Sequence, residues 1–176
     1  MAQVRLSRDA SVLITTDMLL EGIDFRPEWT TPRRLGCKSI AVNISDLASM
    51  GARPLYFTVS LAVPVDISKR WILDFYDGLT DRANSGGARL IGGDLSRTTD
   101  GIAISITAIG ESVNRKILYR SGGRAGDFLY VTGVLGRSAA GLNLLQSGCI
   151  HPRSRARQEA LRVHQCPESR CDAGQW

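Results

Sequence analysis

"LGCKSIAVNISDLASMGA" (35–52) runs almost directly into "PLYFTVSLAVP" (54–64), and the change of rhythm between them decides the fold. In the first stretch Ile40, Ile44, Leu47 and Gly51 recur every three or four residues, the spacing of a helix with one covered face. The second is an apolar run bounded by prolines, which reads as a strand. Upstream, Thr31 and Pro32 make a helix start. The threonine oxygen can accept from a free first-turn N–H, and proline lacks only a donor that the first helical position does not use.

Working outward, "SVLITTDML" (11–19) predicts a strand and "FRPEWTTPRR" (25–34) a loop ending at the helix start. "DISKRWILDFYDGLTDRANSGG" (66–87) predicts an amphipathic helix capped by Asp66 and stopped at Ser85-Gly86-Gly87. Strands follow at "ARLIGGD" (88–94), "GIAISITAIGES" (101–112) and "AGDFLYVTG" (125–133), then a helix at "SAAGLNLLQSG" (138–148). "PRSRARQEALRVH" (152–164) has the pattern for one more. The order β, α, β, α, β, β, β, α implies an α+β fold, a mixed and mainly antiparallel sheet with helices packed on one face.

A chain of 176 residues, 43% hydrophobic and 22% charged, can build one well-packed domain. No stretch approaches the roughly 20 apolar residues of a membrane span, and the first residues carry no apolar signal-peptide segment. The expectation is a cytoplasmic protein with no membrane partner. The net charge of +5 raises nucleic acid as a partner. The arginines between Arg153 and Arg170 alternate with Glu159 and Glu168, however, as on a solvated helix face, so no nucleic acid is expected. Cys37 reads as a small core residue. Cys149, Cys166 and Cys171 lie near His151 and His164 but lack zinc-ligand spacing.

The acids carry the chemistry. Asp46 interrupts an apolar helix three residues after Asn43, on the same face. A carboxylate buried there is costly unless it is paired or bound to a cation. Asp17 ends a strand after Thr15 and Thr16. Asp94 follows Gly92 and Gly93, which clear space for backbone or ligand. Asp9 lies just before the first strand. Singly, each strand-end aspartate is explained as a turn cap. As a set, Asp9, Thr15, Thr16, Asp17, Asp46 and Asp94 are oxygen donors with no histidine among them. That chemistry suits Mg²⁺ shared with substrate phosphates. The glycines and arginines of "RSGGRAGD" (120–127) and the glycine turn opening the helix in "VTGVLGRSAAG" (131–141) are compatible with phosphate. Ordinary turns explain both equally well. No Gly-Lys-Ser/Thr is present, so there is no P-loop.

Four stretches, "DASVLITTDMLLEGIDF", "LGCKSIAVNISDLASMGARPL", "LIGGDLSR" and "RSGGRAGDFLYVTGVLGRSAAGL", together resemble the thiamine-monophosphate kinases over residues 9–148. "SDLASMGA" and "GGD" alone indicate the wider superfamily of aminoimidazole ribonucleotide synthetase-like, ATP-using enzymes. The resemblance implies ATP-dependent phosphorylation of thiamine monophosphate to thiamine diphosphate, with Mg²⁺ and direct transfer. It implies an N-terminal α+β domain that forms a homodimer through its sheet. Carried over by position, Asp9, Thr15, Thr16, Asp17, Asp46 and Asp94 are metal ligands. Gly93, Asp94 and Arg120 contact ATP, and Asp46, Asp94 and Arg120 carry catalysis. Asp24 stands where the family has a substrate-side histidine. The family's opening "GIGDD" is reduced to "LSRD" here. On this reading residues 1–148 are the ATP- and Mg²⁺-binding domain, and 149–176 lead toward a C-terminal domain outside the chain. Residues 1–176 alone are then expected to turn over weakly or not at all. A selenophosphate synthetase-like or hydrogenase-maturation-like enzyme of the superfamily, and a non-catalytic nucleotide-binding or dimerisation module, are the alternatives.

Overall fold

The computed structural model describes residues 6, 7, 10–114 and 116–169. Its elements are β1 (Val12–Leu20), a 3-10 turn (Pro27–Trp29), α1 (Pro32–Ser49), β2 (Ala52–Pro64), α2 (Lys69–Ser85), β3 (Arg89–Thr98), β4 (Ala103–Ser112), α3 (Arg137–Gln146) and α4 (Arg155–Gln165). The strands form one sheet in the order β1-β4-β2-β3. β4 pairs antiparallel with both β1 and β2, and β2 pairs parallel with β3. The parallel pair needs a crossover, and α2 supplies it. This is the expected α+β class with a mixed, mainly antiparallel sheet.

The strand period of two assigns each face. From β2, Phe57, Val59 and Leu61 turn inward, and from β4, Ile104 and Ile106; all are 1% exposed or less. Ile40, Ile44 and Leu47 of α1 and Phe75 and Leu79 of α2 close over them. The two helices cross on glycines. A Cβ at Gly36 would stand 2.0 Å from the Phe75 carbonyl oxygen, and one at Gly78 only 1.8 Å from that of Arg33. Among the described residues no helix covers the other face of the sheet, which is bare, with Val12, Ile14 and Met18 exposed.

Thr31 caps α1 as predicted, accepting from the Arg34 N–H at 3.3 Å. The α2 cap is Ser68 rather than Asp66. Its hydroxyl accepts from the Trp71 N–H at 3.1 Å, and residues 65–66 are spent in a turn. The strand predicted at 125–133 does not form. Its apolar residues, Phe128 to Val131, are exposed, and an apolar run without a hydrogen-bonding neighbour gains nothing from being extended.

The residues after β4 end in an antiparallel pair, α3 and α4, closely packed where a Cβ on Gly141 would meet the Ala160 carbonyl oxygen at 2.3 Å. α4 is moored to α1. Gln165 accepts from the Arg34 guanidinium at 2.7 Å and donates to the Trp29 carbonyl. Cys37 is buried as predicted, but it is not a free core thiol: it is disulfide-bonded to Cys166. Among the described cysteines Cys149 is free.

Candidate functional site

On β1 the side chains alternate. Leu13, Thr15, Asp17 and Leu19 turn toward the helices, and Ile14, Thr16 and Met18 toward the bare face. Thr15 therefore meets α1, and its hydroxyl donates to the Asp46 carboxylate at 3.0 Å. Asp17 lies two residues along the same edge. Its carboxyl is pushed above its ordinary value of 3.8, first by partial burial, then by the negative charges of Asp46 and Asp24. Like charges crowded into a half-dry site favour protonation or a bound cation.

Asp17 and Asp46 open onto a pocket of about 400 Å³, lined also by Ala41, Val42 and Ser45 of α1 and by Pro167, Glu168 and Ser169 after α4. Glu168 was not singled out in the sequence; only its position beyond α4, 122 residues after Asp46, brings it here. It accepts from the Arg162 guanidinium at 2.7 Å. Among the described residues no three His, Cys, Asp or Glu groups could hold a metal ion by themselves. A carboxylate pair with a hydroxyl beside it nevertheless fits Mg²⁺, which keeps several waters and takes one or two carboxylates plus substrate phosphate.

The desolvation cost expected for Asp46 does not arise, because its side chain is exposed. Nor do Asn43 and Asp46 share a surroundings: Asn43 is fully buried, its amide donating to the Ser39 carbonyl at 3.1 Å. The Asn43 Oδ1 has no partner.

The remaining candidates fall elsewhere. Asp94 pairs with Ser60, Ser60 with Ser105, and Ser105 with Met18. Paired residues share a face, so Asp94 belongs to the bare side, where it accepts from the Ser96 hydroxyl at 3.0 Å. Asp17 belongs to the row Ile106–Val59–Gly93 on the helix side. With three strand spacings between them, the two backbones stand roughly 14 Å apart. One chain does not bring their carboxylates together. Thr16 is also on the bare face, its hydroxyl 3.1 Å from that of Thr107.

Gly93 is required by packing. A Cβ there would stand 2.0 Å from the Val59 carbonyl oxygen, whereas one at Gly92 would meet nothing within 4 Å. The Asp24 carboxylate accepts from the Leu20 N–H at 2.8 Å, closing the turn after β1, and its carbonyl accepts from the Lys38 ammonium at 2.9 Å. Burial pushes that ammonium below its usual range, and the Asp24 charge offsets part of the effect. Arg120 is exposed in the irregular stretch after β4. Asp9 lies outside the described residues.

Residues 1–112 match a known family: AIR synthase related protein, N-terminal domain. The chain belongs to that family. Within it, the chain is 35% identical over 163 residues to the thiamine-monophosphate kinase of Bacillus subtilis strain 168, covering 92% of this chain and 50% of that one. The crystal structure of thiamine monophosphate kinase from Aquifex aeolicus superposes with a TM-score of 0.87 at 32% identity, over 93% of this chain and 54% of that one. AaThiL complexed with AMPPCP and TMP superposes with a TM-score of 0.89 at 30% identity, over 97% and 54%. The chain thus spans about half the length of the curated relatives it matches. Among the described residues no helix is long and apolar enough to cross a membrane.

Proposed function

We propose that this chain is the ATP- and Mg²⁺-binding part of a kinase that phosphorylates thiamine monophosphate to thiamine diphosphate. The observation that carries the reading is the pair Asp17 and Asp46 at the mouth of one pocket, the second held by Thr15 and the carboxyl of the first pushed up by partial burial and then by the charges of Asp46 and Asp24. The 35% identity to a thiamine-monophosphate kinase and the likeness to AaThiL bound to AMPPCP and TMP supply the substrates.

In this proposal Asp17, Asp46 and the Thr15 hydroxyl hold one Mg²⁺. Asp94, too distant to share that ion, holds another at the β3 edge of the bare side, with the Gly93 backbone beside the phosphate chain; Thr16, between Ile14 and Met18, lies in the face where two copies join. Asp9 completes the ligand set. Bound Mg²⁺ would neutralise the charge of the two polyanions that must approach each other. The acceptor is already a phosphate oxygen, so the chain needs no general base. Its task is to align donor and acceptor for in-line transfer. Arg120, exposed and cationic, pairs with nucleotide phosphate, and Asp24 stands on the acceptor side. Residues 1–148 form the nucleotide domain, and α4 with residues 166–169 packs back against it beside the acidic pocket. Two copies join through the bare faces, covering Val12, Ile14 and Met18. The protein works in the cytoplasm.

Calorimetric titration of residues 1–176 with AMPPCP tests this reading. The expected result is binding that requires Mg²⁺; binding unchanged by its removal overturns the role of the acids. In a coupled assay, turnover by residues 1–176 alone is expected to be weak or absent.

A further inference from the structure

Cys37 and Cys166 are 129 residues apart in sequence, yet their Cα atoms stand 5.5 Å apart and their sulfurs are bonded. Cys37 is buried on α1, while Cys166, just past the end of α4, is half-buried. The Arg82 guanidinium of α2 reaches both sulfurs, with Nε 3.4 Å from Cys37 Sγ and Nη2 3.6 Å from Cys166 Sγ. A disulfide gains little from a neighbouring cation. A thiolate gains much, since an adjacent guanidinium stabilises the ionised form that thiol–disulfide exchange requires. The surroundings of this bond therefore suit its reduced state as well as its oxidised one. In a reducing compartment, disulfides that do form are typically transient or redox-sensing.

The bond also has something to control. The three residues that follow it, Pro167, Glu168 and Ser169, form one wall of the pocket whose other side carries Asp17 and Asp46. Beyond the disulfide, the wall is tied to α1 by the Ser169 hydroxyl, which donates to the Ala41 carbonyl at 2.7 Å.

We propose that Cys37 and Cys166 form a reversible dithiol–disulfide site whose oxidised state clamps residues 167–169 against α1 as a wall of the acidic pocket. The thiol chemistry stands on its own geometry; its consequence for metal binding rests on the function proposed above. Reduction uses a soluble dithiol. One of its thiolates attacks Cys166 Sγ, the more accessible sulfur, and the Cys37–Cys166 bond breaks. Cys37 leaves as a thiolate beside Arg82. The second thiol of the reductant then displaces Cys166, closing the reductant into a cyclic disulfide. Two electrons pass to the cysteine pair, and the two protons of the dithiol end on Cys37 and Cys166. Oxidation by a low-molecular-weight disulfide runs the same exchange backwards.

Tryptic mapping distinguishes the possible partners, because cleavage after Arg34, Lys38, Arg137, Arg153, Arg162 and Arg170 leaves each cysteine in its own peptide. The intact chain is oxidised with glutathione disulfide, or reduced with dithiothreitol, then alkylated and digested. Peptide 35–38 linked to peptide 163–170, and released by dithiothreitol, is the expected result. Linkage of either to the peptide of Cys149 or Cys171, or free alkylation of both after oxidation, overturns the proposal. Hydrogen exchange in 163–170 is expected to be about tenfold faster after reduction, with α2 unchanged; equal exchange in both states overturns the clamp. Arg82→Gln is expected to slow reduction by about threefold or more, and an unchanged rate removes Arg82 from the exchange. Mg²⁺ titration separates the two readings. Binding about threefold weaker in the reduced form supports both. Binding in neither form, with link and exchange difference present, supports the clamp and overturns the pocket as a metal site.

Discussion

The two faces of the sheet are built from alternate residues of the same strands, yet they do different work. The helix side is a closed core whose edge carries Thr15, Asp17 and Asp46. The bare side is a mixture of exposed aliphatics on β1 and a band of hydroxyls, Thr16, Thr107, Thr58, Ser105 and Ser60, leading across to Asp94. The acids that look alike in sequence are thus divided by the pleat. The buried core lies on one face, and the other exposes Val12, Ile14 and Met18.

The largest expected contrast is in stability. Ile106→Ala, on the covered side and fully buried, is expected to cost about 3 kcal/mol in urea denaturation. Ile14→Ala, 66% exposed on the bare side, is expected to cost less than about 0.5 kcal/mol in the monomer. Equal losses would erase the distinction between the faces. Next comes the glycine pair. Gly93→Ala forces a methyl group into the Val59 backbone and is expected to cost about 2 kcal/mol, with Gly92→Ala close to neutral. If Gly92→Ala were the more damaging, the packing account of Gly93 would fail.

The bare face is tested by Met18→Lys, which leaves the core untouched. Sedimentation equilibrium is expected to show a wild-type dimer and a variant whose self-association is weaker by about tenfold or more, the effect of placing a charge in an apolar contact. A wild-type monomer would contradict the joining of bare faces.

The smallest effect concerns Asp17. Its native carboxyl lies above its ordinary value of 3.8, so between the two values the folded chain holds a proton that the unfolded chain has lost. Stability contributed by this group therefore falls as pH rises through that window and returns on acidification. Asp17→Asn is expected to stabilise the metal-free chain at neutral pH by a few tenths of a kcal/mol, a figure reduced for solvent screening at a largely open site. The gain is expected to vanish below the ordinary carboxylate value. Destabilisation at neutral pH without Mg²⁺ would contradict a carboxyl raised by partial burial and by its acidic neighbours.

Much of the fold was legible because period and punctuation agree. The spacing of Ile40, Ile44 and Leu47 with the Thr31-Pro32 start predicts α1, and the alternation of 101–112 predicts β4. Residues 125–133 misled because they carry strand composition without a strand neighbour. Asp66 misled because two cap residues stand close together and only Ser68 is positioned at the N–H groups. The site was legible in part. Alternation along β1 places Thr15 and Asp17 on one side, and a helix is needed to add Asp46. That Asp94 faces the other way depends on a register irregularity between β2 and β3 near Phe57 and Thr58, which local sequence does not display. Glu168 and the Cys37–Cys166 bond are contacts across more than a hundred residues, and no local period encodes them.

The central claim is that Asp17 and Asp46 act as one cation site. Its most direct measurement is isothermal titration of Mg²⁺ with AMPPCP into wild type, Asp46→Asn and Asp46→Ala, with hydrogen exchange confirming that each variant keeps the fold. The account predicts that both variants lose Mg²⁺-dependent nucleotide affinity by about tenfold or more, about 1.4 kcal/mol, with nucleotide binding in the absence of Mg²⁺ unchanged. Wild-type affinity for Mg²⁺ and nucleotide in a folded Asp46→Asn chain would contradict it.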